Sequence, residues 1–303
     1  MIALISAPTN LGLRPPARGA VPGTAKAPEA LREAGLFDRF LERGARDAGV
    51  VLPGRYLDDD GRRAPGRARN EQPMLDHARR LSDRLRAVLG RGESPLVVGG
   101  DCSLLIGAGH ALAAAGRGRI GLVHIDGHTD FRHPGNSDAC GTAAGEDLAI
   151  AIGRHWPALA DLDGRGPYFD AARTVHLGCR DDDEHLDEVR PLLAETIPAS
   201  EAMRSGMADA AARVRTALAG ADGYWLHLDV DVLDASVMPA VDSPSPGGLD
   251  AGQLTGLLRE LAPGAVGAQV TVFDPDLDPE GRYALTLAGI LAEGLRDLGS
   301  RAG

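Results

Sequence analysis

Cysteine is scarce in this sequence: its 303 residues include three, Cys102, Cys140 and Cys179. An odd, sparse set excludes a disulfide framework and fits a reducing compartment. Aromatic residues make up only 4%, so aliphatic side chains and alanine must build the core that a hydrophobic content of 44% allows. No run of about 18 apolar residues is present, which leaves no membrane-spanning helix to expect. The opening Met1–Ser6 has no basic stretch and too short an apolar run for a secretory signal, so a cytoplasmic protein is expected. Positive charge is also in deficit: 32 Lys and Arg against 43 Asp and Glu leave a net charge of −11. Such a chain offers no electrostatic footprint for nucleic acid or an anionic membrane, and a small-molecule substrate is the expected partner.

Common catalytic signatures are missing too. There is no G-x-S-x-G elbow and no G-x-x-x-x-G-K-[ST] loop. Gly116–Gly121 matches G-x-G-x-x-G by letter, but it precedes a strand instead of opening a helix after one, so phosphate-cradling geometry is not expected. Arg62, Arg63, Arg67 and Arg69 sit among Pro and Gly and read as a solvated loop.

What is present is an alternation of short apolar runs and helical patterns. Strands are expected at Ile2–Ser6, Gly49–Leu52, Pro95–Val98, Ile120–Ile125, Thr174–Leu177, Tyr224–Leu228 and Gly267–Phe273, mostly continuous hydrophobic runs suited to parallel strands covered on both faces. Met74, Ala78, Leu81, Leu85 and Val88 recur at helical steps within Pro73–Leu89. Asp250 with Gln253 has the form of a capping box, and Ala208–Leu218 and Ala284–Leu298 also read as helices. The expectation is an α/β fold: residues 1–303 as a single three-layer α/β/α domain with a mostly parallel central sheet. Residues 58–72 read as a mobile surface loop, and 131–146 as a long loop at a strand's carboxyl end, where such folds place ligands.

The strongest chemical signal is Asp126-Gly127-His128-Thr129-Asp130, directly after one expected strand. Extended residues two apart point the same way, so Asp126, His128 and Asp130 converge. Asp229-Val230-Asp231 repeats the pattern after another strand, and Asp234 is placed to brace the turn. Carboxylates crowded at two buried strand ends repel one another unless a cation lies among them, and neither motif contains Lys or Arg. Carboxylate with imidazole suits Mn²⁺, with Zn²⁺ or Fe²⁺ as alternatives. A third motif, Gly99-Gly100-Asp101-Cys102-Ser103, follows a strand and brings Asp101 or Cys102 toward the same cleft.

These three motifs, in this order, resemble the arginase, agmatinase and formiminoglutamase (ureohydrolase) superfamily. The likeness extends to Gly19–Arg32, to Leu177–Asp183 and to the turn Asp242–Gly248. The resemblance implies an arginase-like fold, possible homo-oligomers, and hydrolysis of C–N bonds in linear amidines or guanidines. It implies two Mn²⁺ ions about 3.5 Å apart sharing a water. Asp126 and Asp229 would bridge them, His128 and Asp231 would complete one site, and Asp130 would complete the other and orient the nucleophile. Asp183 falls where relatives contact a substrate amino group, and Ser243 where they place a small hydroxyl near the substrate.

Three positions depart from the family. Cys102 stands where most relatives have His; either it ligates, with Zn²⁺ favoured, or that half-site is weak and one ion fills the site of Asp126, His128, Asp229 and Asp231. The Cys replacement resembles a branch that includes Nω-hydroxy-L-arginine amidinohydrolases. Val272 stands where relatives have a guanidinium-gripping Glu, with Thr271 or Asp274 as substitutes, so the expected substrate is a modified guanidine such as Nω-hydroxy-L-arginine. Cys140 stands where arginases have a shuttle His, which leaves His133 as the catalytic candidate in that loop. His124 and His227 read as packed structural histidines. The competing expectation is a catalytically silent, metal-binding homologue acting as a sensor or structural partner.

Overall fold

Runs of buried, largely aliphatic residues become strands, except at the two sheet edges: β1 (Ile2–Ala7), β2 (Arg46–Val50, an edge), β3 (Ser94–Gly99), β4 (Gly121–Ile125), β5 (Thr174–Leu177), β6 (Glu195–Ile197, an edge), β7 (Tyr224–Asp229) and β8 (Ala265–Thr271). The computed structural model describes every residue except Arg117, Gly118 and Gly303, so part of the Gly116–Gly121 stretch lies outside the described residues. The strands form one sheet in the order β2-β1-β3-β8-β7-β4-β5-β6, and every pairing is parallel. The carboxyl ends of β3, β8, β7 and β4 therefore lie side by side at the middle of one edge. Asp126 and Asp229, far apart in sequence, follow or end adjacent strands.

Each face of the sheet has its own core. On one face Leu4, Leu96, Val98, Val123, Leu226 and Ala268 pack with the helices Ala27–Glu33, Leu36–Leu41, Met207–Ala217, Ala251–Leu261 and Arg282–Gly294. On the other, Ala3, Ile5, Val97, Leu122, Trp225 and Val266 pack with Glu71–Leu89 and Leu104–Ala114. Each large aliphatic side chain fully withdrawn from water contributes about 1.5–3 kcal/mol, and with few aromatics the sheet depends on many such residues. The capping box forms as its sequence suggests: Gln253 N–H donates to Asp250 Oδ1, and the Gln253 side chain accepts from the Asp250 amide.

The second face carries a polar row. Register sets His176 beside His124, His124 beside His227, and His227 beside Gln269, on β5, β4, β7 and β8 in turn. All four are fully buried. Two residues further along, on the same face, stand Asp126 (just past β4), Asp229 and Thr271.

Several expectations need correction. β6 was missed; it has three residues at the sheet's edge. β2 ends at Val50 instead of running to Leu52, and most of it is solvent-facing, as an edge strand allows. The 58–72 segment runs mostly over the surface, but its Arg69 end is tied into the fold. Arg69 is buried, bonds the carboxylates of Asp58 and Asp60, and donates its backbone N–H to Gly141 O at 2.7 Å. The helix then begins at Glu71, not Pro73. Arg69 thus leaves the solvated basic stretch, because three neighbouring aspartates (Asp58, Asp59 and Asp60) neutralise it inside the fold.

Candidate metal centre

The β4 end is shaped by Gly127, where a Cβ would stand 2.5 Å from Asp231 O and 2.7 Å from Arg180 Nη1. Only glycine lets the two strand tips approach this closely. Behind them Arg180, largely buried, donates to the carbonyls of Asp231, Leu233, Ser245 and Pro246 and fixes the loop after β7. Asp234 accepts from Ser236 and from Gly247 N–H, bracing that same loop.

Three carboxylates share one arrangement: one oxygen is held by a backbone N–H and the other is presented inward. Asp126 Oδ1 accepts from His128 N–H at 2.7 Å, Asp229 Oδ1 from Asp231 N–H at 2.8 Å, and Asp231 Oδ1 from Gly127 N–H at 3.0 Å. Of the presented oxygens, Asp231 Oδ2 meets His128 Nδ1 at 2.9 Å, Asp229 Oδ2 accepts from the Cys102 thiol at 3.0 Å, and Asp126 Oδ2 has no hydrogen-bond partner. Two triads of donor atoms result, Cys102/Asp126/Asp229 and Asp126/His128/Asp231, each with its atoms within 4.8 Å of one another and with Asp126 common to both. Asp130 lines the cleft above them but belongs to neither triad. Its φ of +46° is a left-handed conformation uncommon for a residue with a Cβ.

The electrostatics match this crowding. Burial, then the neighbouring carboxylates, pushes the acids of Asp126 and Asp229 well above the usual range. Burial acts upward on Asp231 too, but the hydrogen bond and charge of His128 outweigh it and hold Asp231 below that range. His128 is correspondingly raised to about 9, chiefly by its bond to Asp231. Burial and then Asp229 push the Cys102 thiol well up. An unpartnered buried carboxylate oxygen among further carboxylates is a costly arrangement for a protein alone. Oxygen, imidazole and sulfur donors around it fit a divalent cation.

Above the triads opens a cleft with a cavity of about 460 Å³. Arg14, Asp183, Asp242, Ser243 and Val272 are among its lining residues. Both oxygens of Asp183 are engaged, by Thr129 N–H and Oγ and by His185 N–H. Val272 is buried, with φ +73°, an outlier for a β-branched residue, and its N–H is held by Gly100 O at 2.7 Å. Neither candidate substitute for a cleft carboxylate at Val272 faces the cavity. Thr271 Oγ1 contacts Cys102 Sγ at 3.1 Å, and Asp274 accepts from Gly23 and Asp276 N–H.

The structure turns His133 away from the cleft. The Pro134-Gly135 turn folds its ring back so that Nδ1 accepts from Gly135 N–H, and Nε2 reaches Glu188 at 2.9 Å. Cys140 is likewise outside, its thiol donating to Ser137 O and raised to about 11, chiefly by burial. The histidine that does line the cavity, besides His128, is His185, missed in the sequence because nothing in the acidic run Asp181–Glu184 marks the histidine after it. Asp147 was missed as well. It is fully buried and lies between His124 and His227, at 3.1 and 3.4 Å.

The model of the arginase family matches residues 1–295. The chain belongs to the arginase family. Among curated relatives, the arginase of Bacillus caldovelox is 29% identical over 96% of each chain, and a formimidoylglutamase of Halobacterium salinarum is 31% identical over 89% of this chain and 82% of its own. The crystal structure of the Bacillus caldovelox arginase superposes with a TM-score of 0.86 at 28% identity, covering 97% of both chains. As an arginase-family member the chain is a hydrolase of carbon–nitrogen bonds in linear amidines. No helix of the described residues is long and apolar enough to cross a membrane.

Proposed function

We propose that this arginase-family chain hydrolyses a modified guanidine, Nω-hydroxy-L-arginine or a close relative, at a manganese centre held by Asp126, His128, Asp229 and Asp231. The observation that carries the reading is the pair of donor triads joined at Asp126, whose Oδ2 has no hydrogen-bond partner. Manganese, when bound there, supplies Lewis acidity and a nucleophile at neutral pH. Water adds to the central carbon, one C–N bond breaks, and the amine leaves with the proton. Asp130, on the cleft wall, receives the proton from the attacking water. Asp183 and Ser243 fix the amino-acid end of the substrate, and Asp183's own bonds hold it rigidly for that role. His133 lies outside the cleft, and His185, a residue of the cavity lining, takes the shuttle position.

Cys102 is the weak corner. Its raised thiol and its bond to Asp229 favour filling of the site without it, with Zn²⁺ as the ion if the sulfur does ligate. Val272 supports a modified substrate, since an apolar wall cannot pair with a plain guanidinium. The same two residues favour the second reading, a silent metal-binding homologue. Three unpaired cysteines suit a cytoplasmic location.

A substrate panel with added Mn²⁺ tests this: arginine, N-hydroxyarginine, agmatine, guanidinobutyrate and formiminoglutamate, with products identified by mass. Hydroxyurea from N-hydroxyarginine is the expected product. A response to arginine alone contradicts the role given to Val272, and no turnover by a metal-loaded enzyme favours the silent homologue.

A further inference from the structure

Beneath the metal centre lies a second cluster of donor atoms, from His124, Asp126, Asp147 and His227, all fully buried and within 4.8 Å of one another. Hydrogen-bond direction decides what it does. Trp225 Nε1–H can only donate, and it donates to Gln269 Oε1 at 3.0 Å. The Gln269 amide N–H therefore faces His227 Nδ1, at 2.7 Å, and makes that nitrogen the acceptor. A neutral His227 then carries its proton on Nε2, which lies 3.4 Å from Asp147 Oδ2, close enough for attraction but without a formed hydrogen bond. A protonated Nε2 has no lone pair for a cation, so this cluster is a directed set of polar contacts instead of a second metal site.

These contacts continue through Asp147. His124 Nε2 lies 3.1 Å from Asp147 Oδ1 but also 3.8 Å from Asp126 Oδ2, the unpartnered oxygen of the metal centre. On its other side His124 Nδ1 meets His176 Nδ1 at 3.0 Å. Two carboxylates thus compete for one imidazole nitrogen, and the shorter distance belongs to Asp147. We propose that Asp147 is a positioning residue for cation binding: by holding His124 Nε2 it keeps Asp126 Oδ2 free to ligate. Without Asp147, a small shift of the His124 ring closes the 3.8 Å gap and puts an N–H on the oxygen the cation needs. Outer partners of this kind typically change metal affinity about 10–100-fold. The inference rests on the carboxylates holding a cation, and on no step of the proposed reaction.

The test is Mn²⁺ affinity by calorimetry on the full chain, with no substrate present. Asp147→Leu, close in shape, should weaken binding about 10–100-fold. Asp147→Asn should bind within a few-fold of wild type, because its oxygen accepts from His227 and its amide donates to His124 Nε2 once the His124–His176 pair reverses. Adding His124→Phe to Asp147→Leu removes the stray N–H and should restore binding. Wild-type affinity in Asp147→Leu, or Asp147→Asn falling as far as Asp147→Leu, overturns the proposal. So does a wild type that binds no Mn²⁺, an outcome that also sinks the metal reading; retained binding without turnover sinks only the substrate reading. Should Asp147→Leu fail to fold, side-chain nitrogen spectra of the metal-free wild type still decide: a neutral His124 protonated on Nε2 is expected, and protonation of His124 on Nδ1 instead would overturn it.

Discussion

The thiol of Cys102 donates to Asp229 Oδ2 at 3.0 Å, occupying an oxygen that would otherwise face a cation. Thr271 gives its own hydroxyl proton to Leu228 O, so its contact with the sulfur offers only an acceptor and does not draw the thiol into ionising. Cys102→His replaces a reluctant thiol with a neutral imidazole donor. The variant should raise Mn²⁺ stoichiometry from about one ion per chain toward two, read by elemental analysis after dialysis. Unchanged stoichiometry would mean that the sulfur already ligates or that the half-site fails for another reason than Cys102.

Val272 holds a left-handed backbone that costs a β-branched residue on the order of 1–3 kcal/mol. Glutamate lacks the branch at Cβ and brings a carboxylate to the cavity wall. Val272→Glu should therefore shift kcat/KM toward arginine relative to N-hydroxyarginine by roughly 10-fold or more. The metal-free variant should also be less stable than wild type, because one more anion joins the cluster, and Mn²⁺ should recover much of that loss. Steady-state kinetics on both substrates and thermal melts with and without metal check the two parts.

How much of this was legible in the sequence depends on whether a residue obeys a short-range period. Asp126, His128, Asp229 and Asp231 follow strands at spacing two, so their convergence could be read directly. The polar row His176, His124, His227 and Gln269 exists only through register between strands, and Asp147 reaches it from a helix whose other buried residues are apolar. No local pattern encodes that meeting. His133 and His185 exchange places because a loop's path is set by turn geometry and by partners such as Glu188. The helix Leu104–Ala114 escaped notice for a different reason: buried almost all round, it has no amphipathic period.

His77 offers a pH test away from the metal centre. It is buried, its Nε2–H donates to Val51 O at 2.9 Å, and burial lowers its pKa below the usual 6.5 despite that bond. Below pH 6.5 the unfolded chain takes up a proton that folded His77 resists, so its contribution is present above that pH and lost as pH falls. His77→Gln keeps a donor for Val51 O and removes the titration. Denaturant melts from pH 7.5 to 5 should show a shallower acid loss of stability for the variant. Parallel curves would contradict the assignment.

The most direct measurement is the anomalous scattering of a crystal grown with ample Mn²⁺. A peak is expected within coordination distance of Asp126, His128, Asp229 and Asp231, with Asp126 Oδ2 turned to it and the strand tips of β4 and β7 drawn together. An empty map at those atoms, with the carboxylates splayed toward solvent, would contradict it.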